Sequence, residues 1–331
     1  MADVLWNLEN VIQPGDFVNR LDDVSLEVCH GGTAVIGYSG AGKTSLLNLL
    51  AQMEAAASGS VVFTPPNGWQ DSFSLPLFWV PQDGGLWPHL TIEEHIQAVV
   101  NAETPWNWLE SPTDESSGSL IDNLLTCFDL IHRRGALPGK LSKGEQSRLS
   151  VARCLAAAPA VMLMDEPLAH TDPVRRPAYW KLIRRYVEHS NASLVFSTHE
   201  PDFAIRESKH VVCLSEGRVI YSGSTTTLYS TPPDEESGRF LGPLNWFAPN
   251  EVPTWLGHSS SRDNSIALRP ESIQLENDEN GPFKILSFQF CGSYAETLLQ
   301  VVSSSEQRMI YHRPIGNVFQ PGQRVQLHNN Q

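Results

Sequence analysis

The stretch GYSGAGKT at residues 37–44 decides how this chain folds. It fits the pattern GxxxxGK[ST], and it lies between a short apolar run at residues 33–36 and the helical run TSLLNLLAQM at residues 44–53. In such a loop the glycines let successive backbone N–H groups turn toward phosphate oxygens, and the positive end of the following helix dipole adds to the attraction. We therefore predict that this loop binds the phosphates of a nucleotide.

Two side chains of the loop have assigned chemistry. Lys43 is expected to reach the β and γ phosphates, and Thr44 is expected to supply a hydroxyl to Mg²⁺. The residues predicted to bind the nucleotide here are Gly37, Ser39, Gly40, Ala41, Gly42, Lys43, Thr44 and Ser45.

From residue 3 to about residue 230, short apolar runs alternate with longer helical patterns, which is typical of an α/β domain with parallel strands. The runs predicted to be buried strands are 33–36, 77–80, 161–164, 194–196 and 211–214. Ligands of open α/β sheets bind outside the carboxyl ends of the strands, so we expect the chemistry just after these runs.

Acidic residues and a histidine follow two of these strands. Asp165 and Glu166 come directly after the run VMLM, where an acid faces the phosphate loop. Asp165 is suited to hold the water shell of Mg²⁺, and Glu166 is suited to accept a proton from an attacking water. His199 follows the second of these strands, at 194–196, and is predicted to contact the γ-phosphate.

Composition limits the possible partners. The 331 residues are 41% hydrophobic and 18% charged, which suits about two domains with sizeable cores and excludes a disordered chain. The formal net charge is −14, so we expect no binding to nucleic acid or anionic lipid through a basic surface. Protein and small-molecule partners are favoured.

The sequence shows no membrane span and no signal peptide. Its best apolar run, residues 154–164, is short and contains Pro159, and the first residues lack a basic and apolar leader. The five cysteines are scattered without a CxxC pair, which argues against disulfides and zinc and predicts reduced cytosolic core residues.

Further motifs identify a family resemblance. LSKGEQ at residues 141–146 resembles the LSGGQ signature of ABC transporters, and VPQ at 80–82 resembles their Q-loop. LWPHLTI at 86–92 is similar to the segment that follows the Q-loop in importer ATPases. Asp172 occupies the D-loop position, and His199 occupies that of the switch histidine. The order and spacing are those of one ABC nucleotide-binding domain.

The C-terminal part extends this resemblance. The segments TLYSTP at 227–232, FLGPLN at 240–245 and LRPESI at 268–273 look like landmarks of importer ATPases that carry a TOBE domain. Six short strand-like runs between residues 266 and 327 predict a small all-β barrel of the OB-like kind. It is either a binding or regulatory module or a packing and dimerising appendage.

The predicted organisation has three parts. An ABC ATPase domain of the P-loop α/β class occupies residues 1–230 and includes a helical subdomain at about 92–157. A Pro/Ser/Gly-rich linker occupies residues 231–261, and the TOBE-like barrel occupies residues 262–331.

The resemblance implies a head-to-tail homodimer around two ATP molecules. Ser142 and Gly144 would then contact the γ-phosphate held by the partner chain, and Asp172 would communicate across the dimer. Glu166 would be the general base, while Gln82 and His199 would sense the γ-phosphate and Mg²⁺. Phe17 is the candidate to stack on adenine, the alternative being a core residue that anchors its loop.

The function implied is the ATP-binding and hydrolysing subunit of an importer for a small solute. The candidate solutes are iron, sulfate, molybdate, sugar, polyamine and thiamine. Separate transmembrane permease subunits would hold the chain at the inner face of the membrane, and a substrate-binding protein would be an indirect partner. The alternative is a soluble ABC-type ATPase that is not coupled to transport; long coiled coils or tandem cassettes, usual in that class, are absent from the sequence.

Two parts of the motifs depart from the family. Lys143 and Glu145 replace a glycine and the glutamine of the signature. Lys143 either attracts phosphate or faces solvent, and Glu145 adds like-charge repulsion near a nucleotide unless it is paired or faces the ribose. His170 and Thr171 make the D-loop atypical, so altered turnover and altered signalling across the dimer are expected.

Overall fold

A computed structural model describes residues 3–66, 76–100, 109, 119–257, 265–314 and 319–329. The chain divides into two compact units, residues 1–225 and 226–331. The strands of the first unit are β1 (Val4–Gln13), β2 (Leu21–Cys29), β3 (Gly32–Gly37), β4 (Ser58–Phe63), β5 (Leu77–Val80), β6 (Val161–Met164), β7 (Ser193–Thr198), β8 (His210–Ser215) and β9 (Arg218–Ser224). Its helices are α1 (Lys43–Leu50), α2 (Ile92–Gln97), α3 (Leu120–Cys127), α4 (Lys143–Ala156), α5 (Arg176–Ser190) and α6 (Pro201–Glu207).

The main sheet of the first unit has the strand order β5-β6-β7-β3-β8-β9. The first five strands are parallel and β9 is antiparallel to β8. Every residue of β6 and β7 is buried, as expected for strands covered on both faces. The predicted parallel α/β fold is confirmed, and the carboxyl ends of β3, β5, β6 and β7 lie at one edge of this sheet.

A second sheet of this unit is antiparallel, with the order β2-β1-β4. The prediction of alternating parallel strands did not include it. In β2, buried and more exposed residues alternate, which is typical of an antiparallel strand with one face on a core. Trp6 of β1 is fully buried in that core, and its indole N–H donates to the carbonyl oxygen of Leu50 at 3.0 Å.

The interval predicted as a helical subdomain contains α2, α3 and α4, although residues 101–108 and 110–118 lie outside the described residues. Helices α2 and α4 pack against each other, and each begins with a capping box. In each box a hydroxyl residue and a glutamate three positions later satisfy backbone N–H groups of the first turn. Across the described part of the chain, no helix combines the length and the apolar character needed to cross a membrane.

The second unit contains a small all-β domain, as predicted. Its elements are α7 (Thr225–Ser230), α8 (Glu235–Arg239), β10 (Asn245–Phe247), α9 (Val252–Leu256), β11 (Ile266–Leu268), β12 (Ile273–Asn277), β13 (Phe283–Phe290), β14 (Ala295–Val301), β15 (Gln307–His312) and β16 (Arg324–Asn329). The sheet order is β12-β16-β13-β14-β15, with every ladder antiparallel.

Composition predicted a linker at residues 231–261, but its described residues, 231–257, are a folded part of this second unit. The interval holds α8, β10 and α9, and residues 258–261 lie outside the described residues. Phe247, Val252 and Trp255 are buried in the core of the second unit, where the Trp255 ring stacks on Phe283 at 5.1 Å between centroids. A few large apolar side chains therefore outweigh the Pro/Ser/Gly-rich composition.

Candidate nucleotide site

The phosphate loop joins β3 to α1, and close backbone contacts fix its shape. Gly42 has φ +103°, and a Cβ there would lie 2.4 Å from the carbonyl oxygen of Arg20. A Cβ on Gly37 would lie 2.5 Å from the carbonyl oxygen of Leu214. Both positions therefore require glycine. Gly37 has no space for a Cβ, and Gly42 has neither the space nor a backbone conformation that other residues readily adopt.

Lys43 begins α1 and is buried, and its ammonium donates to carbonyl oxygens of the loop itself. The distances are 2.8 Å to Gly37 O and 3.1 Å to Tyr38 O. The ammonium group pairs with these neutral carbonyls and with no carboxylate among the residues that the structure describes, so its charge is available to an anion bound at the loop.

Asp165 follows β6 and is held by hydroxyl groups from α1 and β7. Thr44 Oγ1 donates to one carboxylate oxygen of Asp165 at 2.7 Å, and the Ser197 hydroxyl of β7 donates to the other. The same Ser197 hydroxyl accepts the Glu166 N–H at 2.8 Å. Asp165 is only 3% exposed, and these bonds fix its orientation. Sequence reasoning assigned no role to Ser197, although its place in a strand ending at this edge was a usable signal.

Glu166 and His199 meet directly after β6 and β7. The His199 Nδ1 lies 3.1 Å from Glu166 Oε1, and the Glu166 backbone has φ +47°. The His199 side chain is 58% exposed while that of Glu166 is 19% exposed. A left-handed backbone at a non-glycine residue is held only by surrounding structure, here by the Ser197 bond, and such residues concentrate at functional sites.

One cleft of about 570 Å³ gathers most of the predicted residues. It lies at the carboxyl edge of the parallel strands, where the sheet rule places ligands. Its lining residues are Arg20, Ser39, Gly40, Gly42, Lys43, Thr44, Ser45, Gln82, Glu166 and His199. Arg20 was not predicted. It pairs with Glu54, from Nη2 to Oε2 at 2.8 Å.

Phe17 lines a neighbouring cleft of about 720 Å³, which shares Gly40 with the phosphate cleft. Its ring is 99% exposed, so the structure excludes the alternative of a core residue that anchors the loop. A fully exposed aromatic ring beside a phosphate-binding loop is suited to stack on a planar base.

Two predicted residues of the phosphate loop do not line the phosphate cleft. Gly37 and Ala41 form the backbone of the loop, with the Ala41 N–H donating to Tyr38 O at 3.1 Å. These two residues contribute to the shape of the loop, and the cleft is lined by other residues of the loop.

The predicted residues of the signature and the D-loop also lie outside that cleft. Asp172 accepts the N–H of Val174 at 2.9 Å in an exposed turn before α5. Ser142 and Gly144 lie at the start of α4, and a Cβ on Gly144 would lie 2.8 Å from His170 O. The signature and the D-loop are therefore packed against each other within one chain.

Ser142 is the N-cap of α4 and is bound to Glu145. The Ser142 N–H and hydroxyl both donate to Glu145 Oε2, at 2.8 and 2.9 Å. The Glu145 N–H donates back to Ser142 Oγ at 3.2 Å. The N–H of Ser142 lowers the pKa of the Glu145 carboxyl, so this group is an anion at neutral pH. The repulsive carboxylate predicted at this position is thus paired.

A brace that the sequence did not reveal joins α4 to the turn after Gln82. Gly84 O accepts from the Ser150 hydroxyl at 3.0 Å and from Arg153 Nη2 at 3.1 Å, and Gly85 O accepts from Arg153 Nη1 at 2.8 Å. The Arg153 guanidinium lies 4.7 Å from the centre of the Trp87 ring. Burial lowers the pKa of Arg153. A basic residue in the helix was visible in the sequence, but its partners are carbonyl groups, which leave no sequence signal.

Comparison with known proteins decides the family. The profile of the ABC transporter family matches residues 21–169. The chain is 32% identical over 260 residues to the Fe(3+) ions import ATP-binding protein FbpC of Pseudomonas fluorescens. The aligned residues cover 74% of this chain and 72% of that protein. The chain belongs to the ABC transporter family. It is an ATP-binding cassette and an ATPase. The protein of the same name from Yersinia enterocolitica is 29% identical over 313 residues and covers 87% of each chain.

Solved structures agree with the cassette fold. The dimeric post-hydrolysis structure of the ATP-binding cassette MJ0796 bound to ADP and Pi has a TM-score of 0.52 at 23% identity, covering 67% of this chain and 99% of that one. The ATP-binding subunit of an ABC transporter has a TM-score of 0.53 at 24% identity, covering 68% and 91%. At this identity the likeness shows the fold.

Proposed function

We propose that this chain is the ATP-hydrolysing subunit of an ABC importer, bound through permease subunits to the inner, cytoplasmic face of a membrane. The observation that carries the proposal is the single cleft shared by Lys43, Thr44, Gln82, Glu166 and His199. A phosphate cradle, a carboxylate base and a histidine around one space are the parts that phosphoryl transfer to water requires.

The proposed mechanism begins with the phosphate loop. Its N–H groups and the Lys43 ammonium bind the β and γ phosphates. Glu166 accepts the proton of the attacking water, and His199 orients the Glu166 carboxylate and contacts the γ-phosphate. Ser197 holds the Glu166 backbone, so it is a positioning residue.

Magnesium fits the oxygen groups at the end of β6. The Thr44 hydroxyl and the Asp165 carboxylate are already in contact, and the Gln82 side chain lines the same cleft as Thr44. These are hard oxygen donors, which Mg²⁺ prefers. When bound, the ion neutralises phosphate charge. In our proposal Thr44 and Gln82 ligate it, and Asp165 holds its water shell.

The signature supports a homodimer. Ser142 and Gly144 lie outside the chain's own cleft, so their phosphate-binding role requires a second copy placed head to tail. In that dimer the start of α4 contributes N–H groups and the Ser142 hydroxyl to the γ-phosphate held by the partner. Asp172 of each chain then lies in the segment that connects the two sites.

Ferric iron is the solute that the relatives favour. Several of the similar proteins carry the name Fe(3+) ions import ATP-binding protein. We infer that the chain serves permease subunits for an inorganic ion of this kind, supplied by a substrate-binding protein. Purification with tagged permease subunits tests the proposed association with a permease. A chain that never co-purifies with them, yet hydrolyses ATP, supports the alternative of a soluble ATPase.

The central experiment measures ATP binding, by calorimetry, and Mg²⁺-dependent ATPase activity of the purified chain. Lys43→Ala should cost about 2 to 5 kcal/mol of ATP binding, because it removes a charged hydrogen-bond donor from a partly buried site. Lys181→Ala, at an exposed position of α5, is the matched control and should leave activity unchanged. ATP binding by the Lys43→Ala protein at the affinity of the parent would contradict the proposed site.

A further inference from the structure

The start of α4 already holds an anion of its own. Both donors of Ser142, its N–H and its hydroxyl, end on the same oxygen, Glu145 Oε2, at 2.8 and 2.9 Å. A phosphate oxygen bound by Ser142 would need the same two donors. The carboxylate and a γ-phosphate therefore compete for one place.

We propose that Glu145 is an internal competitor that must leave Ser142 before the signature can bind ATP held by a second copy. The inference rests on the proposed homodimer and concerns the regulation of that site. The consequence is a closed dimer that needs more ATP to form and opens more readily after hydrolysis.

Arg133 offers the Glu145 carboxylate a second partner when phosphate displaces it from Ser142. Its other oxygen, Oε1, lies 3.4 Å from Arg133 Nε, and the Arg133 side chain is 51% exposed, so its long stem can follow. Rotation toward Arg133 keeps a cation beside Glu145 while it frees the Ser142 donors. The charge remains close to the phosphate, so the repulsion is reduced and not abolished.

A neutral side chain would behave differently. Glutamine keeps an oxygen that accepts the Ser142 N–H, so the cap of α4 survives, but it carries no charge to repel a phosphate. Glu145→Gln therefore separates the charge of the residue from its capping role.

The chain contains a matched control in α2. Thr91 N–H and hydroxyl donate to Glu94 Oε2 at 2.7 and 2.8 Å, and the Glu94 N–H donates back at 3.3 Å. This is the same arrangement at a helix start that contributes no residue to the nucleotide cleft. Glu94→Gln should change stability as Glu145→Gln does, without touching the signature.

The experiment uses the full chain with Glu166→Gln, which slows hydrolysis so that bound ATP persists. Sedimentation or light scattering then gives the ATP concentration for half-maximal dimerisation. We expect Glu145→Gln to lower that concentration about tenfold, since one like charge near the phosphate is removed, and Glu94→Gln to leave it unchanged. Thermal midpoints of the two variants confirm equal folding.

Three outcomes overturn the inference, and they are distinguishable. If dimers form at the same ATP concentration with and without Glu145→Gln, or if Glu94→Gln has the same effect, the charge of Glu145 does not compete with phosphate. If every variant binds ATP but none dimerises, the proposed homodimer itself fails and the inference falls with it. A gap between parent and Glu145→Gln that narrows as salt is added further supports the electrostatic cause.

Discussion

The phosphate loop and the signature helix are the two helix starts to which we assign phosphate, and they differ in the groups that they already bind. Lys43 at the start of α1 donates to neutral carbonyl oxygens, whereas Ser142 at the start of α4 donates to a carboxylate. When phosphate replaces the carbonyl oxygens as the partner of Lys43, an ion pair is gained. When phosphate replaces the Glu145 carboxylate as the partner of Ser142, one anion is exchanged for another and no charge pairing is gained. One chain thus has an open half-site and a self-occupied half-site, and each can be tested separately.

The largest expected effect comes from the open half-site. Glu166→Gln should lower kcat by about 10² to 10⁴, because a positioned base is typically worth that factor. ATP binding should persist, since the phosphate loop is intact. Steady-state kinetics and calorimetry measure the two properties.

Glu188→Gln, at an exposed position of α5, is the control for the loss of one negative charge. If Glu166→Gln retains parental turnover, the base lies elsewhere and the open half-site is misassigned.

The second test addresses the self-occupied half-site. Ser142→Ala should lower ATP-dependent turnover about 10²-fold through loss of one phosphate donor, while ATP binding to the monomer stays unchanged. It also removes the cap of α4, which costs about 1 kcal/mol of stability.

Thr91→Ala removes the equivalent cap of α2 and separates the two effects. It should cost similar stability and retain activity. If both variants lose activity equally, the role of Ser142 is structural and the contrast between the two helix starts disappears.

The smallest effect is expected at Phe17. Replacing its exposed ring with alanine should weaken ATP binding about tenfold, since stacking on a base is worth about 1 to 3 kcal/mol. Thermal stability should not change, because the ring is 99% exposed. Fluorescence titration with a nucleotide analogue measures the affinity, and Val18→Ala is the neighbouring control. Unchanged affinity would mean that adenine binds elsewhere in the open half-site and does not stack on Phe17.

The sequence predicted the parallel strands well because buried strands are short apolar runs with clear limits. The runs at 77–80 and 161–164 match β5 and β6 residue for residue. The antiparallel sheet at the N-terminus was not predicted. The apolar residues of β1 and β2 were assigned to the longer pattern of parallel strands alternating with helices. Residues 231–257 of the predicted linker are folded, and composition could not show this because it does not reveal that Trp255 packs on Phe283.

The site was predictable where chemistry depends on residue type and spacing. Residue type and spacing predicted Lys43, Thr44, Glu166 and His199, and the structure places all four in the lining of one cleft. Ser197 was not found, since its role depends on which strands are neighbours in the sheet. The pairing of Glu145 with Ser142 depends on side-chain conformation, and spacing alone left it open.

The brace at Arg153 has a mechanical consequence. Two carbonyls of the turn at Gly84 and Gly85 are tied to one guanidinium, and a Cβ on Gly84 would collide with the Ser150 hydroxyl at 2.4 Å. The turn after Gln82 and the Arg153 end of α4 are therefore tied together, and Ser142 lies at the opposite end of the same helix. In the homodimer proposed above, a displacement of this turn would be passed along α4 to Ser142, which we assign to the nucleotide of the partner chain.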